Sequence, residues 1–269
     1  MTENGIGVRS LRKEDQRYLT GKGKYTDDLN QHGQAHAVFV RSPHAHAKLE
    51  AVETSLAENI HGVIRILTGE DVLEDGLGGI PCGFAPTGGG EVHEPPRPAL
   101  ANNKVRFVGD LVAVVIGETL DSARQGAEAV SVAYEVLSPV ISVAGAGDED
   151  SPEIHAEAPG NLCFEWSLGD SKATEQAFSE AHHVTKIDII NNRKIPNAME
   201  PRAAFAEYDS GSDVITLHTT SQNPHIVRLL LGAFVLSIPE HKLKIIAVSY
   251  THLRAHETRH DLVCRLLLE

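Results

Sequence analysis

The sequence predicts a mixed α/β fold of the α+β kind, built in two parts. One group of strand-like and helix-like patterns ends near residue 143, and a second begins near residue 161. Residues 144–160 between them are small, acidic and proline-containing, which is typical of a linker. The length of 269 residues also exceeds the usual size of one domain. We therefore expect two domains joined by an acidic linker.

The first part is predicted to hold five strands and two helices. Alternating apolar residues predict strands, and apolar residues at helical spacing predict helices. Residues 73–104 contain seven glycines and five prolines, which predicts an extended surface loop. A strand, a helix and a strand at the end of this part suggest a crossover unit. In chain order the elements are strand 35–41, helix 54–60, strands 63–67, 105–108 and 111–116, a helix from Thr119, and strand 131–135.

The second part is also predicted to contain both strands and helices. Residues 209–213 supply the turn chemistry of a hairpin, and Pro224 suits the first turn of a helix. Asp170 can cap a helix whose buried stripe is Ala173, Ala177, Phe178 and Ala181. The expected elements are strand 161–168, this capped helix, strands 184–190, 203–208 and 214–220, helix 226–236, and strand 242–248.

Charge and composition exclude several classes of function. The net charge of −13 disfavours nucleic-acid binding, because phosphate recognition needs a basic surface. No apolar run approaches the ~20 residues that span a bilayer, so no membrane span is expected. Cys82, Cys163 and Cys264 are odd in number and far apart, which argues against a disulfide framework and leaves too few thiolates for a four-cysteine iron–sulfur cluster. We expect a cytoplasmic protein.

Six phrases, in order along residues 5–247, resemble one family, the large subunits of xanthine dehydrogenase, aldehyde oxidase and aerobic carbon monoxide dehydrogenase. The most recognisable is Arg41-Ser-Pro-His-Ala-His-Ala47. The others are Thr20-Gly-Lys-Gly-Lys-Tyr-Thr-Asp-Asp28, Val105-Arg-Phe-Val-Gly-Asp-Leu-Val-Ala-Val114, Tyr134-Glu-Val-Leu137, Asn197-Ala-Met-Glu-Pro-Arg202 and Thr220-Ser-Gln-Asn-Pro-His225.

The resemblance implies a hammerhead domain followed by the truncated start of a molybdopterin-binding domain. The expected boundaries are an N-terminal extension at 1–17, the hammerhead domain at 18–143, the acidic linker at 144–160, a partial molybdopterin-binding domain at 161–248 and a tail outside the family at 249–269. Histidines 44 and 46, two residues apart in the most recognisable phrase, are interpreted as packing and hydrogen-bonding residues rather than as metal ligands.

The resemblance also implies a reaction and its partners. Members of the family are molybdenum-dependent oxidoreductases that hydroxylate or dehydrogenate a small substrate, such as an aldehyde, an N-heterocycle or carbon monoxide, with oxygen from water. The cofactor is molybdopterin, expected here in its cytosine dinucleotide form. Iron–sulfur clusters and FAD are expected on partner subunits, because the cysteine count fits a separate-subunit arrangement.

Gln222 is the residue of this chain that the resemblance places at the cofactor. In the family, the glutamine of the phrase matched by Thr220 to His225 donates a hydrogen bond to the apical oxo ligand of molybdenum. An amide N–H is a suitable donor for such a group. The alternative interpretation is that Gln222 only satisfies loop backbone. No catalytic residue and no metal ligand are predicted.

The tail departs from the family. After Lys242 to Val248 the family continues with a phrase of the form Gly-Gly-Gly-Phe-Gly, whereas this chain reads Ser249-Tyr-Thr-His-Leu-Arg and onward to Glu269. Residues 249–269 are therefore interpreted as a frameshift or assembly artefact, and the fragment is expected to be inactive.

Two other functions stay open. A non-catalytic docking or assembly module could keep the first domain without an active site. The tail also contains His256-Glu-Thr-Arg-His260, the H-E-x-x-H pattern in which His256 and His260 would bind zinc and Glu257 would act as a general base. A zinc hydrolase is the less favoured alternative, because a third protein ligand is missing at a recognisable spacing.

Overall fold

The fold was analysed in a computed structural model that describes residues 15–83, 90–191 and 202–248. These residues form two compact units. One holds the described residues from 32 to 191 together with 229–239, and the other holds 15–31, 202–228 and 240–248. Both units contain helices and strands, which confirms the predicted mixed fold. The predicted domain boundaries stay predictions.

The larger unit is built on two antiparallel three-stranded sheets. The first has the order β1-β5-β3, with β1 at His36–Arg41, β3 at Val63–Thr68 and β5 at Leu111–Gly117. The second has the order β4-β2-β6, with β2 at Ala47–Glu53, β4 at Lys104–Val105 and β6 at Ser131–Val136. Its helices are α2 (Ser55–Glu58), α3 (Gly69–Glu74), α4 (Leu120–Ala129) and α5 (Ser171–Glu180), and a 3₁₀ turn lies at Pro159–Asn161.

The core of this unit consists of two apolar clusters. One contains the buried residues Ala47, Ala101, Val105 and Val112, and the other contains Ala57, Ile66, Val115 and Val130. Val52 and Val132, on neighbouring strands β2 and β6, pack against both clusters. Val112 and Val115 are fully buried, as the wholly apolar sequence of β5 predicts.

Three predictions for this unit are wrong. β5 and β6 flank α4 as expected, but they belong to different sheets, so they do not form a crossover unit. The strands predicted at 161–168 and 184–190 are absent, because these residues pair with no strand in the described part of the chain. The helix capped by Asp170 is present as α5, yet none of its residues is buried, and Phe178 is 61% exposed.

The smaller unit carries a third sheet, of order β7-β8-β9. β7 (Ala204–Asp209) and β8 (Val214–Thr219) form the predicted hairpin, and β9 (Leu243–Ala247) pairs with β8 in parallel. Between β8 and β9 this unit contains α6 (Pro224–Leu229) and a 3₁₀ turn at Glu240–Lys242, whereas the π-helix at Leu230–Val235 belongs to the larger unit. The same unit begins with α1 (Asp15–Leu19) and a 3₁₀ turn at Thr26–Asp28. Among the described residues there is no helix long and apolar enough to cross a bilayer.

Candidate functional site

The predicted site residue, Gln222, lies in the loop that joins β8 to α6. β8 ends at Thr219, and the parallel strand β9 ends beside it, where the Val248 backbone N–H donates to the Thr219 carbonyl at 3.1 Å. The loop therefore lies at the carboxyl ends of two parallel strands. In open α/β sheets this edge is where ligands bind, because the loops that follow the strands converge there.

Two side chains of this loop have structural roles. The Asn223 side-chain oxygen accepts from the Ile226 backbone N–H at 3.3 Å and so caps α6, and the Asn223 carbonyl accepts from the Val227 N–H at 3.1 Å. The Ser221 hydroxyl oxygen accepts from the Asn223 backbone N–H at 3.1 Å. These bonds fix the loop at the start of the helix.

The other two side chains are available for a ligand. The Thr220 hydroxyl oxygen is buried and has no hydrogen-bond partner among the described residues. Gln222 is exposed, and no hydrogen bond of its amide is found within the described ranges. A buried hydroxyl without a partner costs roughly 1–3 kcal/mol, so such a group is usually satisfied by water or by a bound molecule. Sequence reasoning singled out Gln222 but missed Thr220, since its burial is a property of the fold.

The opposite end of the same sheet is closed by ionic and hydrogen-bonding contacts. Asp213 pairs with Lys242 and accepts a hydrogen bond from the Tyr208 hydroxyl at 3.0 Å. The Lys242 ammonium, followed by the Tyr208 hydroxyl, lowers the pKa of Asp213. Farther along, Arg228 of α6 pairs with Glu240 at 2.9 Å. These pairs join β8, α6 and β9 without using the loop at 220–223.

The phrase from Arg41 to Ala47 has a structural role in the larger unit. The His46 ring is 3% exposed, and its Nδ1 lies 2.7 Å from the Ser138 carbonyl. The His44 ring packs edge-on against Tyr134, with 4.9 Å between the ring centres. Arg41 donates to the Gly109 carbonyl at 3.0 Å. These contacts support the interpretation of both histidines as packing and hydrogen-bonding residues.

A second candidate region is a cavity of about 340 Å³ in the larger unit. His155 lines it, and the ring nitrogen Nδ1 is buried with no hydrogen-bond partner in the part of the chain that the structure describes. Arg106 lies at the same cavity and donates to the Ile154 carbonyl at 3.2 Å and to the Lys104 carbonyl at 3.3 Å. Burial, and next the positive charge of Arg106, lower the pKa of His155. Both effects favour the neutral form of the ring.

Several predicted features lie outside the described residues. They include His256, Glu257 and His260 of the zinc pattern, the whole tail from 249 to 269, Cys264, and residues 197–201 of the phrase that ends at Arg202. Within the described ranges no group of three or more histidine, cysteine, aspartate or glutamate residues is arranged to hold a metal.

Comparison with known proteins identifies two domains. The family described as aldehyde oxidase and xanthine dehydrogenase, a/b hammerhead domain, matches residues 20–138. The family described as molybdopterin cofactor-binding domain matches residues 154–250. The loop with Thr220 and Gln222 lies in the second of these ranges, and the cavity beside His155 is lined from both.

Individual relatives agree with the two families. The nicotine 6-hydroxylase large subunit of Paenarthrobacter nicotinovorans is 35% identical over 253 residues, which is 92% of this chain and 29% of the relative. The carbon monoxide dehydrogenase large chain of Afipia carboxidovorans is 32% identical over 90% of this chain and 30% of the relative. The crystal structure of quinoline 2-oxidoreductase from Pseudomonas putida 86 superposes with a TM-score of 0.80 at 31% identity, covering 91% of this chain and 30% of that one.

The chain thus spans about 30% of the length of the relatives it matches. Both matched domains occur in the predicted order, and they cover most of the sequence. The resemblance seen in the six phrases is confirmed: this chain belongs to the family of molybdenum hydroxylase large subunits, the molybdopterin-dependent oxidoreductases that include xanthine and carbon monoxide dehydrogenases.

Proposed function

We propose that the chain is the N-terminal part of a large subunit that hydroxylates or dehydrogenates a small substrate, such as an aldehyde, an N-heterocycle or carbon monoxide, with oxygen from water. One observation carries the proposal. In a chain of this family, the loop with Gln222 lies at the carboxyl ends of the parallel strands β8 and β9, where ligands bind.

The residues of this loop fit a molybdopterin cofactor. The unpartnered Thr220 hydroxyl and the exposed Gln222 amide are neighbouring donors, and the oxo ligand and phosphate of such a cofactor are acceptors. When bound, the cofactor supplies a redox-active metal centre. Gln222 would hold the cofactor by donating its amide N–H to it, while Asn223 and Ser221 hold the loop in place.

Further parts of the proposal concern the complex. The cofactor is the cytosine dinucleotide form, and an iron–sulfur subunit and an FAD subunit carry electrons away. The cytoplasm is the proposed compartment, since the described cysteines Cys82 and Cys163 are free and exposed, which suits a reducing environment. The 269-residue chain by itself is inactive, because about 70% of the length of its relatives has no counterpart in it.

The coding DNA tests the proposal at the point where the family resemblance stops. Translation in all three frames downstream of codon 248 is expected to reveal a Gly-Gly-Gly-Phe-Gly phrase in another frame. A reproducible stop after Glu269, with no such phrase nearby, would support the non-catalytic docking module instead.

The role of Gln222 is tested in the full-length subunit by Gln222→Glu, which keeps the side-chain shape and replaces the N–H donor by an acceptor. Loss of one preorganised donor lowers turnover about 100-fold in comparable sites, so we expect at least a tenfold loss. The control is Gln125→Glu on the exposed face of α4. Molybdenum content by elemental analysis should stay equal in all three proteins. Wild-type turnover in Gln222→Glu would disprove the role.

A further inference from the structure

The cavity beside His155 in the larger unit is lined by a cation that is held in a fixed orientation. The Arg106 guanidinium donates through Nε to the Ile154 carbonyl and through Nη1 to the Lys104 carbonyl. These two bonds orient the planar, half-buried group. Among the described residues, no carboxylate forms an ion pair with Arg106, and its Nη2 has no hydrogen-bond partner. The charge of Arg106 is therefore available to a molecule that enters the cavity.

The His155 ring offers a second polar group to the same cavity. Its Nδ1 atom is buried and has no hydrogen-bond partner in the described ranges. Buried polar atoms without a partner are rare in folded proteins and are usually satisfied by water or by a bound molecule. Nδ1 carries a hydrogen in one neutral tautomer and in the protonated ring, and it can then donate to a carboxylate oxygen. Arg106 and His155 are thus two donors suited to one anion.

The charges around the cavity favour an anion, although the chain as a whole is acidic. After burial, the groups that act on the pKa of His155 are Arg106, Glu157, Lys104 and Arg97, in decreasing order of effect. Three of these four are cations, and Glu157 alone among them raises the pKa. The net charge of the chain is −13, so this local charge is opposite in sign to that of the protein. Cations gathered around a concave site attract anionic ligands.

Much of the remaining lining is apolar. Phe107, Val108 and Val140 line the cavity, and Phe107 and Val108 are 59% and 66% exposed. A ligand with an apolar body would remove these side chains from water. The volume of about 340 Å³ lies at the lower end of the range for small-molecule sites. The cavity therefore fits a small molecule with one charged end and one apolar end.

We propose that this cavity binds a small organic monocarboxylate, whose carboxylate is held by Arg106 and His155 and whose apolar body packs on Phe107, Val108 and Val140. The fork of a guanidinium matches the planar geometry of a carboxylate. Inorganic phosphate would satisfy the same donors but would leave the apolar lining uncovered. The cavity lies in the larger unit and Gln222 lies in the smaller one, so the inference does not depend on the proposed function.

Isothermal titration calorimetry of the 269-residue chain tests the ligand chemistry with four probes. Benzoate has both the charge and the apolar body, benzamide lacks the charge, acetate lacks the body, and inorganic phosphate has charge alone. We expect benzoate to bind with a dissociation constant of about 1 mM or tighter, as is usual for so small a ligand. The other three should bind at least tenfold more weakly. Absence of saturable benzoate binding, or equal binding of any other probe, would overturn the proposal.

Three variants locate the binding. Arg106→Gln removes the charge at the cavity, Arg124→Gln removes the same charge from the exposed face of α4, and Val140→Phe fills the cavity without changing a charge. We expect Arg106→Gln and Val140→Phe each to weaken benzoate binding at least tenfold, and Arg124→Gln to bind like the wild type. Val140→Phe leaves both hydrogen bonds of Arg106 in place, so it tests the site even where Arg106→Gln fails to fold. Wild-type affinity in Val140→Phe would contradict the proposal.

The His155 ring reports directly on occupancy of the cavity. Its signal is the one missing from the histidine NMR spectrum of His155→Leu. A carboxylate bound beside the ring stabilises the protonated form, so we expect saturating benzoate to raise the pKa of His155. The same concentration of benzamide should leave this pKa unchanged. If calorimetry shows bound benzoate while the titration of the His155 signal does not move, benzoate binds elsewhere and the proposal is wrong.

Discussion

His155 contributes a specific acid sensitivity to the larger unit. Its folded pKa is lowered, first by burial and then by Arg106, whereas in the unfolded chain it titrates near 6.5. As pH falls below about 6.5, the unfolded state therefore binds the proton more readily than the folded state. The contribution of the neutral His155 ring to the free energy of unfolding is therefore fully present above that pH. It is lost as the pH falls through the lowered pKa of the folded state. We expect the urea midpoint to decrease between pH 7.5 and 5.5, and to decrease less in His155→Leu.

The control for His155 lies in the same cavity. Val140→Ala also changes the lining but removes no titratable group. It should lower the midpoint by a similar amount at every pH, leaving the slope of the wild type. A pH profile of His155→Leu that parallels the wild-type profile would show that this ring does not sense acid.

Single residues show where sequence reasoning succeeds and where it stops. Gln222 could be proposed only through the family resemblance, because an exposed glutamine in a loop has no distinctive pattern. Thr220 and His155 were missed, since their burial without partners arises from residues distant in sequence. His46 was interpreted correctly as a packing residue, although nothing local indicated Ser138, 92 positions away, as its partner.

Two helices with equivalent N-caps differ in what they bury. The Thr119 hydroxyl oxygen accepts from the Ser122 N–H at 3.0 Å in α4, and the Asp170 carboxylate accepts from the Ala173 N–H at 3.0 Å in α5. α4 buries Ala123 and Gly126, but α5 buries no residue. We expect Thr119→Ala to lower the free energy of unfolding by about 1 kcal/mol. Asp170→Ala should leave the global transition unchanged and reduce only the helical circular-dichroism signal.

Thr119→Ser provides the control for the cap, because it keeps the accepting hydroxyl and should retain nearly all of the stability. Equal losses of global stability in Thr119→Ala and Asp170→Ala would mean that α5 is packed in solution, contrary to its exposure in the structure.

Gly126 allows α4 to approach the sheet closely. A Cβ atom there would lie 2.7 Å from Val115 Cγ1 and 2.9 Å from Val63 Cγ2. Both neighbours are β-branched and stiff, so the overlap is not easily relieved. Gly126→Ala gains about 1 kcal/mol of helix propensity but introduces overpacking of roughly 1–3 kcal/mol. We expect a net loss of stability in urea unfolding, compared with Glu128→Ala on the exposed face, which should be neutral or slightly stabilising. A Gly126→Ala protein as stable as the control would show that the helix can shift outward.

Elements defined by local signals were predicted well. The cap and the apolar stripe of α4 both lie within a short stretch of sequence that begins at Thr119. The turn residues of the β7–β8 hairpin likewise lie directly between its two strands. Strand pairing was predicted poorly because it depends on residues far apart. The order of the elements along the chain could not reveal that β5 pairs with β1 and β3 while β6 pairs with β2. The strand β2, at Ala47–Glu53, was not predicted at all.

Over the whole molecule, stability is distributed unevenly. Both apolar clusters lie between residues 47 and 132, whereas the segment 162–191 has no buried residue. Two predicted strands, 161–168 and 184–190, fall largely within this segment. Their alternation was recognised correctly, but a strand also needs a neighbour, and the described residues do not provide one. The failure of these two predictions and the exposure of the segment 162–191 have the same cause.

This uneven distribution predicts the order of proteolysis. Proteases cut where the backbone can open at little cost, which favours exposed segments with few distant hydrogen bonds. Lys172 and Lys186 lie in the exposed segment 162–191, whereas Lys48 and Arg65 lie in the paired strands β2 and β3. In limited trypsin digestion followed by mass spectrometry, we expect cleavage after Lys172 and Lys186 well before cleavage after Lys48 or Arg65. Simultaneous cleavage at all four sites would mean that the larger unit does not form a stable core.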